Sequence, residues 1–75
     1  MEKLTLKELQ EVLKEKDYYI RKDNYSFSIR LVIKKFGCCD TVIAYLTFNQ
    51  FMKLNLIETD YTSTYTYFKL NEIND

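Results

Sequence analysis

The sequence predicts an α+β domain: an N-terminal amphipathic helix packed on a three- or four-stranded antiparallel sheet, with a second short helix. Three observations carry this expectation. Residues 5–16 repeat their apolar side chains at helical spacing, and residues 25–36 alternate at strand spacing. Thr5 with Glu8, and Thr47 with Gln50, have the spacing of a capping box, which marks a helix start. Helices that flank a run of strands, instead of alternating with them, point to an antiparallel sheet covered on a face.

The first helix is expected over Thr5–Lys16. The Thr5 and Glu8 side chains can each satisfy a free backbone N–H of the first turn, and Leu4 and Leu9 sit at the positions of a hydrophobic staple. Leu6, Leu9, Val12 and Leu13 form one stripe, while Lys7, Glu8, Glu11, Lys14 and Glu15 face water. That stripe needs a sheet to cover it.

Tyr18–Arg21 reads as a short strand and Lys22-Asp23-Asn24 as a turn, because these residues tolerate left-handed backbone. Tyr25–Phe36 has the strongest strand pattern. Tyr25, Phe27, Ile29, Leu31 and Ile33 alternate with Ser26, Ser28, Arg30, Val32 and Lys34. Gly37-Cys38-Cys39-Asp40 is the expected connection, holding the chain's single Gly, and Thr41–Leu46 the returning strand. The run Val42–Leu46 is apolar on both faces, which predicts a central position. The second helix is expected over Phe48–Asn55, with Phe48, Phe51, Met52 and Leu56 on one face. Leu56–Asp60 has no decisive pattern. Tyr61–Leu70 has strand composition, and the polar tail begins at Asn71. The expected core is Leu6, Leu9, Leu13, Phe27, Ile29, Leu31, Ile33, Ile43 and Phe51.

With 75 residues and no linker, repeat or low-complexity stretch, residues 1–75 form one domain. The absence of His excludes Ser-His-Asp and Cys-His catalysis and imidazole metal sites. One Gly excludes a Walker A loop and a dinucleotide fingerprint. Neither a cofactor nor a metal is expected, and no catalytic constellation points to an enzyme. Eleven basic and eleven acidic side chains cancel, against a nucleic-acid coat or a polybasic membrane binder. The neutrality hides an asymmetry. Residues 1–36 hold nine basic and six acidic side chains, and residues 37–75 hold two and five. Cys38 and Cys39 are adjacent and close no useful loop, which fits free thiols in a reducing cytoplasm. The N-terminus is charged and no apolar run reaches the roughly 18 residues of a membrane span. A cytoplasmic location follows as the expectation.

Four features could carry chemistry. Glu58 and Asp60, two apart, would share a side on a regular strand, where paired carboxylates can hold Mg²⁺. Cys38 and Cys39 lack a base that would lower a thiol pKa. Ser26, Ser28, Arg30 and Lys34, with Arg21 and Lys22 near, make a basic strand face that could meet phosphates. Tyr61, Tyr65 and Tyr67 stand among Thr and Ser beside Glu58 and Asp60. If Phe68 and Leu70 face the core, Tyr65 and Tyr67 face away from it. Tyr is enriched at interface hot spots, so Glu58, Asp60, Tyr61, Tyr65 and Tyr67 form the candidate surface for a basic protein partner. An exposed strand edge would also let two copies pair into a homodimer.

The segment Leu13-Lys14-Glu15-Lys16-Asp17-Tyr18, followed by Ser28-Ile29-Arg30-Leu31-Val32-Ile33-Lys34 and a hairpin, resembles small phage-encoded anti-CRISPR proteins. The resemblance covers roughly the first 45 residues. It implies an inhibitor from a phage or mobile element that binds a host protein, an RNA-guided nuclease, in a bacterial cytoplasm. Those inhibitors are typically strongly acidic mimics of DNA. This chain is neutral, which directs the expectation to a protein–protein surface without direct nucleic-acid binding. A second resemblance joins Phe51-Met52-Lys53-Leu54-Asn55-Leu56-Ile57-Glu58 and Tyr65-Thr66-Tyr67-Phe68-Lys69-Leu70. It looks like the recognition helix and wing of a winged-helix domain, and implies a small DNA-binding regulator as the alternative. That fold needs a three-helix core, whereas residues 17–46 read as strands.

Overall fold

The computed structural model describes residues 2–35 and 39–71. In chain order the elements are β1 (Glu2–Lys3), α1 (Leu6–Val12), β2 (Tyr18–Asp23), β3 (Ile29–Ile33), β4 (Thr41–Tyr45), α2 (Phe48–Lys53), β5 (Leu56–Tyr61) and β6 (Tyr65–Leu70). The six strands form one sheet in the order β1-β4-β3-β2-β6-β5. Five of them pair antiparallel, and the two-residue β1 adds a parallel pairing with β4. The α+β expectation holds, with a wider sheet than three or four strands.

Both helices start where their capping boxes predict. Thr5 Oγ1 accepts from the Glu8 N–H at 3.2 Å and Glu8 Oε1 from the Thr5 N–H at 2.9 Å. Thr47 and Gln50 repeat the exchange at 3.1 Å in each direction. Gln50 Nε2 also donates to the Leu4 carbonyl at 2.7 Å, tying α2 to the segment before α1. Helix α1 stops at Val12, short of Lys16. There Lys14 and Glu15 N–H groups turn back to Glu11 and Val12 carbonyls, and Asp17 adopts φ 71°. A left-handed residue cannot continue a helix, and Asp is among the few that accept that conformation.

The core lies between the helices and one face of the sheet. Leu9, Leu13, Ile20, Ile29, Leu31, Ala44, Leu46 and Leu54 are buried there. Leu6, Ile43 and Phe51 pack half-buried against them, and Ile33 is also half-buried. Cross-strand pairing explains the set: Ala44, Leu31, Ile20 and Phe68 are successive neighbours across β4, β3, β2 and β6. Each points to the face that α1 and α2 cover.

Four expectations are corrected. Phe27 is not core but 78% exposed. Strand β3 begins at Ile29, because Asp23 Oδ1 accepts from the Tyr25 N–H at 2.8 Å and the Asp23 N–H closes the turn on the Ser28 carbonyl. This Asx-type turn lifts Tyr25 and Phe27 out of the ladder despite their parity with Ile29. Second, Tyr61–Leu70 is not one strand. Thr62 Oγ1 accepts from the Thr64 and Tyr65 N–H groups, and the Thr62 N–H donates to the Tyr65 carbonyl, so residues 62–64 turn between β5 and β6. Third, β4 lies between β1 and β3, one place in from the edge; β3 and β2 hold the middle. Fourth, α2 ends at Lys53 and directs Phe51 and Leu54 inward while Phe48 and Met52 stay exposed.

Asn24 joins the two hairpin ends. Its N–H donates to the Thr64 carbonyl at 2.9 Å, Nδ2 to the Thr62 carbonyl at 3.0 Å, and Oδ1 accepts from Thr66 Oγ1 at 2.6 Å. Phe36 at the end of the expected strand, Gly37 and Cys38 of the expected β3–β4 connection, and residues 72–75 of the expected tail lie outside the described residues. Cys39 is a free, exposed thiol. No helix among the described residues is long and apolar enough to cross a membrane.

Candidate functional site

The face of the sheet opposite the helices carries the side chains of opposite parity to the core. Successive cross-strand neighbours on it are Tyr45, Arg30, Arg21, Tyr67 and Asp60, one from each of β4, β3, β2, β6 and β5. A second line begins Val42, Val32, Tyr19.

Cations stack on the tyrosines of this face. The Arg21 guanidinium lies 4.1 Å from the Tyr65 ring centroid. Lys34 Nζ lies 4.7 Å from Tyr67 and 5.7 Å from Tyr19. Lys69 Nζ, 5.0 Å from Tyr19, donates to the Glu15 and Tyr18 carbonyls. Tyr67 packs edge-on against Tyr19 and Tyr65. Under this cover Val32 is fully buried and Tyr67 is only 4% exposed, so the face has a small second core of its own.

Two carboxylates reach the same cluster. Asp40 accepts from Arg21 Nη1 at 3.2 Å and from the Tyr67 hydroxyl at 2.5 Å. Burial, then the bond to Asp40, pushes the Tyr67 hydroxyl well above its ordinary pKa. Asp60 accepts from Lys34 Nζ at 2.8 Å. That bond lowers the Asp60 carboxyl and raises the Lys34 ammonium.

The predicted partner surface is divided by the fold. Glu58, Asp60 and Tyr61 stand exposed on β5, the edge strand, with Tyr61 69% exposed. Tyr65 and Tyr67 lie one strand inward, facing away from the core as their parity against Phe68 and Leu70 predicts. Tyr65 is half-buried beneath Arg21 and Tyr67 is buried. Glu58 and Asp60 do not share a side. A bulge at Thr59 sets Glu58 opposite Phe68 and Asp60 opposite Tyr67, on different faces. Thr59 Oγ1 donates to the Tyr67 carbonyl at 3.4 Å, tying the bulge down. No group of three potential metal ligands occurs among the described residues.

The basic strand face is likewise redistributed. Arg21 and Lys34 are held by carboxylates, and Lys22 pairs across from Ile29, on the helix side. Ser26 Oγ accepts from the Ser28 N–H inside the turn. Sequence reasoning missed Asp40 as the anchor of this face. Its signal was available: it is the single acid between residues 24 and 57, in a stretch with four cations. An exposed aromatic group was missed as well. Phe27 meets Phe48 at 5.7 Å, and Met52 beside Phe48 is 64% exposed.

No protein-family model, curated protein or solved structure matches the chain.

Proposed function

We propose that the protein is a non-enzymatic protein-binding module that takes an extended, basic segment of its partner against the β5 edge. One observation carries this reading. Among the described residues β5 is a six-residue strand with a neighbour on one side only, and Ile57, Glu58, Asp60 and Tyr61 are exposed along it. An open edge offers main-chain hydrogen bonds to an incoming strand, and side chains at alternate positions supply selectivity. Asp60 is already paired with Lys34, but Glu58, which has no ion pair among the described residues, attracts basic residues and repels its counterpart on a second copy, and the Thr59 bulge resists indiscriminate pairing. A heterologous partner therefore suits the edge better than a homodimer does.

The sequence resemblance suggests a specific form: a phage or mobile-element inhibitor of a host RNA-guided nuclease. The winged-helix alternative has less support, since α2 has six residues with one Lys and the described residues contain two helices. The test begins with tagged protein in lysate of a bacterial host, with and without nuclease treatment, followed by calorimetry on the purified pair. A single stoichiometric protein, with affinity reduced at least about tenfold by Glu58→Lys with Tyr61→Ala, supports the module. Recovery of DNA alone, lost on nuclease treatment, overturns it in favour of the regulator.

A further inference from the structure

Arg30 is a cation of the open face for which the described residues supply no carboxylate. It sits directly across β2 from Arg21 and across β4 from Tyr45. Like charges placed opposite each other on one face destabilise a sheet. Asp40 offsets Arg21, and its engaged oxygen also serves Tyr67. Asp60 offsets Lys34. Among the described residues Arg30 forms no ion pair, and its guanidinium donates only to the neighbouring Ile29 carbonyl at 2.9 Å. Two β4 side chains flank it on the open face, Tyr45 at 38% and Val42 at 37% exposure.

We propose that Arg30 is the receptor for a carboxylate on a protein partner, with Tyr45 and Val42 as its apolar border. Three observations favour this chemistry. A planar guanidinium binds carboxylates by parallel hydrogen bonds, and the adjacent Arg21 already holds one in Asp40. Apolar neighbours exclude water from a charged contact and strengthen it. A nucleic-acid phosphate chain is disfavoured, because Arg21 and Lys34 are engaged by carboxylates, Lys3 lies beyond Tyr45 on β1, and the chain is neutral overall. A second copy is disfavoured too, since a symmetric contact centred here would bring Arg30 against itself. The inference rests on the protein-binding reading and adds an anchor of opposite sign to the acidic β5 edge. A partner would then be held in one orientation by complementary charges.

The test needs no identified partner. Nitrogen-15-labelled protein is titrated with a capped Leu-Glu-Val-Glu-Leu peptide while the Arg30 Nε–H and the Val42 and Tyr45 amides are followed by NMR. The expected result is saturable movement of these signals, none with the Gln-for-Glu peptide, and binding weakened at least about tenfold in Arg30→Gln and Arg30→Lys. The Arg30→Lys variant keeps the charge and separates fork recognition from simple attraction. Absence of movement at millimolar peptide overturns the proposal. So does equal binding by Arg30→Lys, movement with oligothymidylate in place of the peptide, or sedimentation as a dimer that Arg30→Gln alters. Signals from Glu58 and Tyr61 on β5 are read separately, so failure at Arg30 leaves the edge reading to its own test.

Discussion

Tyr67 and Arg21 converge on one oxygen of Asp40, the hydroxyl at 2.5 Å and the guanidinium at 3.2 Å. Asp40 immediately precedes β4, so this pair of bonds fastens the start of that strand to the open face of the sheet. Arg21 and Asp40 side chains are only 16% and 13% exposed, which reduces solvent screening of the contact. Asp40→Ala leaves a part-buried guanidinium and a buried hydroxyl without their acceptor. Urea unfolding is expected to show a loss of about 2–4 kcal/mol.

The Tyr67 hydroxyl gives a distinct alkaline signature. Its pKa is raised in the folded state, from an ordinary value of 10.0. The stability linked to this proton is complete below about pH 10 and falls as pH rises further, where the unfolded chain releases the proton that the folded chain still holds. Tyr67→Phe should be less stable at pH 7 by about 1–3 kcal/mol and should lose less stability than the parent above pH 10. Unfolding curves at both pH values check the sign.

Lys34 and Asp60 respond at both ends of the pH scale. Asp60 is lowered from 3.8, so its contribution is present above that value and lost as pH falls through the lowered one. Lys34 is raised from 10.5, so its share is present below 10.5 and lost as pH rises through the raised value. The pair is solvent-accessible, and added salt should shrink both effects. Carboxyl and ammonium NMR titrations at low and high salt measure them, with Asp60→Asn reducing the Lys34 shift.

Two apolar residues on β2 and its turn should behave oppositely. Ile20 is fully buried between β3 and β6. Ile20→Ala is expected to cost about 2–5 kcal/mol by opening a cavity. Phe27 is mostly exposed, and Phe27→Ser should change stability by less than about 1 kcal/mol. Thermal melts of both variants distinguish them.

Local chemistry was the legible part of the fold. Thr5 with Glu8 and Thr47 with Gln50 announce both helix starts, because a cap is made within four consecutive residues. Alternation assigned Leu31 and Ile29 to the core side and Tyr65 and Tyr67 to the other. It could not show where β3 begins, since parity continues through Phe27 whether or not a neighbouring strand is there. It could not show the Thr59 bulge, which moves Asp60 away from Glu58's face. β5 has mixed composition because it borders solvent along one edge, so its pattern alone was indecisive. The same limit applied to the site. Tyr61 was legible as a surface residue, but Tyr67 is covered by Tyr19 and Lys34 and bonded to Asp40, all distant in sequence.

The strand order also bears on the sequence of events in folding. β2, β3 and β4 succeed one another as neighbours, as do β5 and β6, so each group can form across short loops. The β2–β6 seam instead joins Ile20 to Phe68 and Asp23 to Tyr65 across the length of the chain. Closing it, like pairing β1 with β4, requires a larger loss of chain entropy than forming either group. Asn24, bonded to Thr62, Thr64 and Thr66, sits at its end. A residue with no part in the core thus becomes the latch whose closing completes the sheet.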